Sequence, residues 1–249
     1  MSPHRYRGTV SYVGTAFHGW QVQKNAARTV QAALSHALSS LALANVRVEG
    51  ASRTDAGVHA EGQVIHFDLP VARPPEVIRD AVNHRLPDDV RLLEVAEASP
   101  DFHARHDAAW KEYVYRWSRA EVIDPREAPF VAPLSAGASL ERMRASAELL
   151  PGTRDFRIFA VRLVPGETTE RTLHAVTVQE DGVRLSAVFR GDGFLRGMVR
   201  SMCGVLADAA RGRVRPERAR ELLETGDRRL LSPKASAKGL TLVRVSYGE

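Results

Sequence analysis

The stretch Ser52-Arg53-Thr54-Asp55-Ala56-Gly57-Val58-His59-Ala60 joins two strand-like runs, Val46–Gly50 and Gln63–Asp68. Its glycine and its small polar residues make it turn-prone, so one carboxylate, Asp55, and one guanidinium, Arg53, are carried on a short connection between strands. Loops positioned by a rigid scaffold are where reacting side chains concentrate. A guanidinium two residues away favours the ionised carboxylate, the form a nucleophile needs, whereas burial alone disfavours it. The alternative is an Asx-turn in which Asp55 only caps nearby backbone amides.

Working outward, Tyr6–Tyr12 reads as a strand. Val30, Ala33, Leu34, Ala37, Leu38 and Leu41 recur at helical spacing and predict an amphipathic helix over Val30–Leu43, with Thr29 as its N-cap. A helix over Glu76–Arg85, entered through Pro74-Pro75, and a strand over Val90–Ala96 give the order β-α-β-β-α-β. The second half repeats this order more loosely. Ala109–Arg116 alternates like a strand, Ser139–Leu150 is a helix, and Thr172–Gln179 and Val183–Phe189 form a strand pair turned at Asp181-Gly182. Helices over Phe194–Ala210 and Glu217–Leu223 and a closing strand over Leu240–Tyr247 complete it. Two split β-α-β units predict an α+β protein with antiparallel sheets, divided as 1–105 and 106–249, with the proline-bearing stretch Glu121–Pro133 as a long connection.

The chain has 249 residues, 44% hydrophobic and 26% charged, which excludes a disordered polymer and suffices for two small cores. Residues Met1–Arg7 lack an apolar signal region, and no apolar run approaches the ~20 residues of a membrane span, so a cytoplasmic protein is expected. The single cysteine, Cys203, excludes an internal disulfide and a thiolate metal cluster. His59, His66, His103 and His106 do not form a His-Glu-x-x-His pair, and no metal is expected. The net charge is +5, and only four of the 35 basic residues are lysine. Arginine's planar fork suits phosphates and base edges, although a GC-rich coding sequence also exchanges lysine for arginine. Arg211, Arg213, Arg215, Arg218, Arg220, Arg228 and Arg229 form either a phosphate-tracking face or a solvated helix surface.

The string from Ser52 to His59 resembles the active-site motif of the tRNA pseudouridine synthase A family, the tRNA pseudouridine(38-40) synthases, whose pattern is Gly-Arg-Thr-Asp-Ala-Gly-Val-His. Ser52 stands where the family has glycine, which raises the question of whether the backbone there needs a left-handed conformation. Further strings similar to the family's occur in the same order: Gly14-Thr15-Ala16-Phe17-His18-Gly19-Trp20-Gln21, Leu86-Pro87-Asp88-Asp89, Phe102-His103-Ala104-Arg105, Tyr113-Val114-Tyr115, Met198-Val199-Arg200 with Gly204, and Lys238-Gly239-Leu240. Val13, where the family usually has aspartate, and Arg157-Ile158-Phe159, where it usually has a small residue before phenylalanine, depart from it.

The resemblance implies the pseudouridine synthase fold, two ferredoxin-like halves joining antiparallel sheets with a central cleft. It implies isomerisation of uridine to pseudouridine at positions 38, 39 and 40 in the anticodon stem-loop of tRNA, by a homodimer without a cofactor. Asp55 takes the nucleophile's place and Arg200 stands beside it, while Arg53 is a candidate for helping to flip the base and Tyr113 for stacking on the extruded uracil. Read from the residues alone, a tyrosine at 113 is more often a core residue on a half-buried strand, and arginines at 200 and 196, which point away from the apolar stripe of Phe194–Ala210, are more often solvated surface charges. Two other function classes stay open. A non-catalytic RNA-binding module shares the β-α-β-β-α-β order but gives no role to Asp55. A glycoside hydrolase wants a second opposed carboxylate, for which Glu61 is the nearest in sequence.

Overall fold

Strand β1 (His4–Tyr12) turns Tyr6, Gly8, Val10 and Tyr12 inward, the alternation of a half-buried strand. In the computed structural model, which describes residues 3–23, 28–163, 166 and 168–248, this strand is central to the first of two units. The units are Met1–Ala109 with Leu242–Glu249, and Trp110–Thr241. The boundary after Ala109 is four residues beyond the expected division, and the chain's last residues pack with the first unit instead of the second half.

In the first unit β1 is followed by α1 (Val30–Ala42), β2 (Val48–Gly50), β3 (His59–Leu69), α2 (Pro75–Asn83) and β4 (Val90–Glu97), the order expected from the sequence. The strand order is β4-β1-β3-β10, with β2 paired to β3 and β10 spanning Leu240–Ser246. Strands β3 and β4 both run antiparallel to β1. Thr29 caps α1, its hydroxyl accepting the Ala32 amide at 3.3 Å, a contact of the kind worth about 1 kcal/mol. Leu34, Ala37 and Leu38 are buried under the helix. Helix α2 begins with Pro75 at N1, where the missing amide costs nothing, and buries Ile78 and Val82. Strand β3 is longer than expected and starts at His59, so the end of the decisive stretch is itself strand.

The second unit contains β5 (Trp110–Ser118), β6 (Ala132–Pro133), α3 (Leu140–Ala147), β7 (Gly152–Asp155), β8 (Glu170–Asp181), β9 (Arg184–Gly191), α4 (Met198–Ala210) and α5 (Arg218–Thr225). Its strands are ordered β5-β9-β8-β7 and antiparallel, while β6 pairs with β5 in parallel. Lys111, Tyr113, Tyr115 and Trp117 alternate inward along β5. Two expectations are corrected here. Helix α4 begins at Met198, not Phe194, because Gly197 has φ +75°, a left-handed conformation through which a helix cannot run. The helix also has no single apolar stripe, since every residue from Met198 to Ala210 except Arg200 is buried. No helix among the described residues is long and apolar enough to cross a membrane.

Candidate active site

Asp55 sits on the loop between β2 and β3, half-buried, with Arg53 exposed beside it. Six hydrogen bonds tie down the main chain of that loop. Ala51 N–H donates to Val64 O at 2.8 Å, Thr54 O accepts Trp20 N–H at 3.1 Å, and Gly57 N–H donates to Phe17 O at 3.3 Å. Gln63, fully buried on β3, brackets Ser52: its Oε1 accepts the Ser52 amide at 3.1 Å and its Nε2 donates to Ser52 O at 2.6 Å. The sixth bond, Val58 N–H to Asp55 O at 3.1 Å, closes a β-turn whose third residue, Gly57, has φ +79°. Only glycine takes that position without strain. Ser52 does not have positive φ, so serine occupies the family's glycine position without backbone cost.

The loop lies directly on the segment from Gly14 to Trp20. A Cβ on Gly14 would fall 1.9 Å from Val58 O, and one on Gly19, at φ +91°, would fall 2.7 Å from Thr54 O. Glycine is required at both because main chain meets main chain. Gly50 leaves room for the indole of Trp20, whose ring a Cβ would meet at 2.5 Å. Side chains lock the same contact. Tyr12 Oη and Thr54 Oγ1 are 2.8 Å apart, and His59 Nδ1 accepts the Gly14 amide at 3.1 Å, which puts the imidazole proton on Nε2. His59 therefore supports the loop. Asp89 anchors the far side: its carbonyl accepts Val13 N–H at 2.9 Å and its carboxylate pairs with Arg28 at 2.8 Å, while Arg28 stacks over Phe17.

Tyr113 and Arg200 belong to the second unit. Tyr113 is buried on β5 opposite Phe189, with its ring edge-on to Phe194 at 5.1 Å between centroids. Arg200, half-buried in the first turn of α4, is held by an irregular segment. Its Nε donates to Ala235 O at 2.9 Å and its carbonyl accepts Ala235 N–H at 3.0 Å. That segment lies on Gly204, where a Cβ would fall 2.2 Å from Pro233 O. It continues to Ser236, whose carbonyl accepts Tyr115 Oη–H at 2.8 Å, and to Gly239, packed on the Tyr115 ring. Arg200 is thus not the solvated charge that its helical angle suggested, whereas Arg196 is exposed. Burial raises the Tyr115 phenol well above its ordinary range, so it stays protonated and acts as a donor.

Sequence reasoning did not single out Gln63, Tyr12 or Asp89 as supports of the loop. Gln63 carried a signal nonetheless, a polar residue on an inward position of an apolar strand. His66, His103 and His106 do come together in the first unit, with ring centroids 4.7 and 4.2 Å apart. His66 Nδ1 accepts the Ala104 amide at 3.2 Å and His103 Nδ1 the amides of Arg105 and His106. Among the described residues no group of three or more His, Cys, Asp or Glu could hold a metal ion. The cluster's work is to organise the Phe102–Arg105 turn.

A family model described as tRNA pseudouridine synthase matches residues 9–107 and 146–248. The tRNA pseudouridine synthase A of Listeria welshimeri is 39% identical over 246 residues, covering 98% of this chain and 99% of that one. The protein of the same name from Oceanobacillus iheyensis is 40% identical over 248 residues, covering 98% and 97%. Among solved structures, a chain of a Cbf5-Nop10-Gar1 complex aligns with 95% of this chain and 48% of its own length at TM-score 0.39 and 10% identity, a likeness too low to bear on function. With both stretches of the family model matched, and with end-to-end relatives at this identity, the chain belongs to the tRNA pseudouridine synthase family.

Proposed function

We propose that this chain isomerises uridine to pseudouridine in tRNA, at positions 38, 39 and 40 of the anticodon stem-loop, with Asp55 as nucleophile. The observation that carries the reading is the end-to-end likeness to relatives named tRNA pseudouridine synthase A, joined to a carboxylate on a loop whose main chain is held by six hydrogen bonds. In this reading the Asp55 carboxylate forms a bond to ribose C1′ as the C1′–N1 bond breaks and the electron pair leaves with the uracil. The base turns, C5 takes C1′ back and expels the carboxylate, the C5 proton passes to solvent, and N1 gains one. Atoms and electrons balance without a redox or group-transfer cofactor.

Arg200 and Arg53 serve to keep the Asp55 carboxylate ionised, Arg53 also helping to extrude the base, and Tyr113 stacks on the uracil, a contact worth about 1–3 kcal/mol per base. The working enzyme is a cytoplasmic homodimer whose subunits jointly hold one tRNA. The test follows from the proton balance. With tRNA tritiated at uridine C5, each turnover releases one tritium to water, and nucleoside analysis identifies the product. Asp55→Asn keeps the side chain's shape, so it is expected to bind tRNA normally and release no tritium. Wild-type-like release by this variant would sink the assignment of the nucleophile. Free uracil would indicate a hydrolase, and unchanged tRNA a binding module.

A further inference from the structure

The end of α4 and the start of α3 meet in the second unit, where Ser139 N–H donates to Ala210 O at 2.8 Å. Ser139 also caps α3 by accepting the Arg142 amide at 3.2 Å, which fixes Arg142 in the first turn. Its guanidinium lies over Gly212, where a Cβ would come within 2.8 Å of it. On either side of Gly212, Arg211 and Arg213 reach the same oxygen, Asp208 Oδ1, at 3.5 and 3.4 Å. The main chain holds this turn, since the amides of Arg213 and Val214 both donate to Asp208 O. Two guanidiniums therefore share one carboxylate, a third lies over the turn between them, and Arg215 follows two residues later. Among the described residues, none of these four arginines pairs with any other carboxylate. Asp208 is mostly covered, its side chain 12% exposed, whereas that of Arg213 is 67% exposed. The excess positive charge faces outward.

Like charges fixed around a single buried counter-charge are relieved by an anion from outside, and arginine forks fit phosphate oxygens in pairs. We propose that Arg142, Arg211, Arg213 and Arg215 form a docking surface for the phosphodiester backbone of the tRNA, an anchor separate from the contacts to the reacting uridine. The inference rests on the proposed function for the identity of the RNA. Arg200 and Arg211 lie on and at the end of one helix, eleven residues or about 17 Å apart along its axis. The surface therefore takes phosphates outside the nucleotide that Arg200 would serve, and governs affinity instead of chemistry.

The experiment is the dependence of tRNA affinity on salt, measured with the parent, an Arg142→Gln/Arg213→Gln/Arg215→Gln variant and the corresponding triple lysine variant. Arg211, which is mostly covered and holds Asp208, is left in place. Each lost phosphate contact lowers the log-log slope by about 0.7–0.9. The glutamine variant is expected to have a slope shallower by about 2 and at least tenfold weaker binding at low salt, with an unchanged single-turnover rate at saturating tRNA. The lysine variant should keep the parent's slope. An unchanged slope in the glutamine variant, or equal losses in both variants, would overturn the proposal. A parent that binds tRNA without forming pseudouridine would refute the proposed function and leave the salt result to be read on its own.

Discussion

Around Asp55 the contacts run from main chain to main chain, with Gly14 and Gly19 laid against the backbone of Thr54 to Val58 and Gln63 pinning Ser52. Around Arg200 they run from a side chain to an irregular segment, with Ala235 paired to Arg200 and Pro233 laid against Gly204. A backbone cradle leaves its parts little freedom to adjust. A single segment docked on a helix can shift and still leave the helix intact. The first arrangement therefore ties position to fold stability, and the second separates them.

The largest effect expected from this contrast is that of Gly14→Ala. The new methyl would lie 1.9 Å from a backbone oxygen that cannot move without dismantling the loop, so about 3 kcal/mol of stability and the activity are lost together. Denaturant unfolding and tritium release measure the two, and a stable, active variant would show that the cradle is pliable. Tyr113→Ala comes next. It removes a ring packed on Phe194 and costs about 3 kcal/mol, whereas Tyr113→Phe keeps the ring and most of the stability. If Tyr113 stacks on the uracil, Phe also retains tighter uridine binding than Ala, and equal binding by both would place Tyr113 outside the pocket. Gly204→Ala should separate function from fold. Helix propensity gains up to about 1 kcal/mol, which offsets part of the clash with Pro233, so stability changes by about 1 kcal/mol while activity falls with the displacement of Ala235 from Arg200. Loss of both in proportion would erase the contrast between the two regions.

The smallest effect concerns pH. Burial is the main cause that lowers the His66 pKa below its ordinary value, and the nearby His103 and Arg5 add to it. As pH falls below about 6.5 the unfolded chain takes up this proton first, so the stability contributed above that pH is lost progressively below it. The melting temperature should drop between pH 7 and pH 5. His66→Asn keeps an acceptor for the Ala104 amide but cannot titrate there, and should flatten the drop. An equal drop in the variant would assign it to other groups.

The two regions also differ in how far the sequence revealed them. In the first unit, periodicity placed α1 and its Thr29 cap, and Pro74-Pro75 placed the start of α2, because these are local signals. The loop carrying Asp55 was legible for the same reason, a turn between two strands. Its supports were not, since Gly14, Asp89 and Tyr12 reach it through tertiary contacts that spacing does not encode. In the second unit the apolar run before Met198 looked helical, and only the left-handed φ of Gly197 stops it. Strand β7 is the polar tetrad Gly152–Asp155, with no alternation of its own, and exists because β8 offers it an edge. By its helical angle alone Arg200 looked like a surface charge, because a helical wheel assumes one covered side. Segment 232–236 covers another.

The Arg200–Ala235 contact also has a duration. Ala235 offers its carbonyl to the guanidinium and its amide to the Arg200 carbonyl, so both bonds last as long as this one residue stays docked. Residues 231–236 belong to no helix or strand, and such segments open far more often than the elements beneath them. Each opening takes these two bonds from Arg200 while the helix stays intact, and each closure restores them. The interval between openings is then a clock within the folded protein, read by hydrogen exchange at the Ala235 amide.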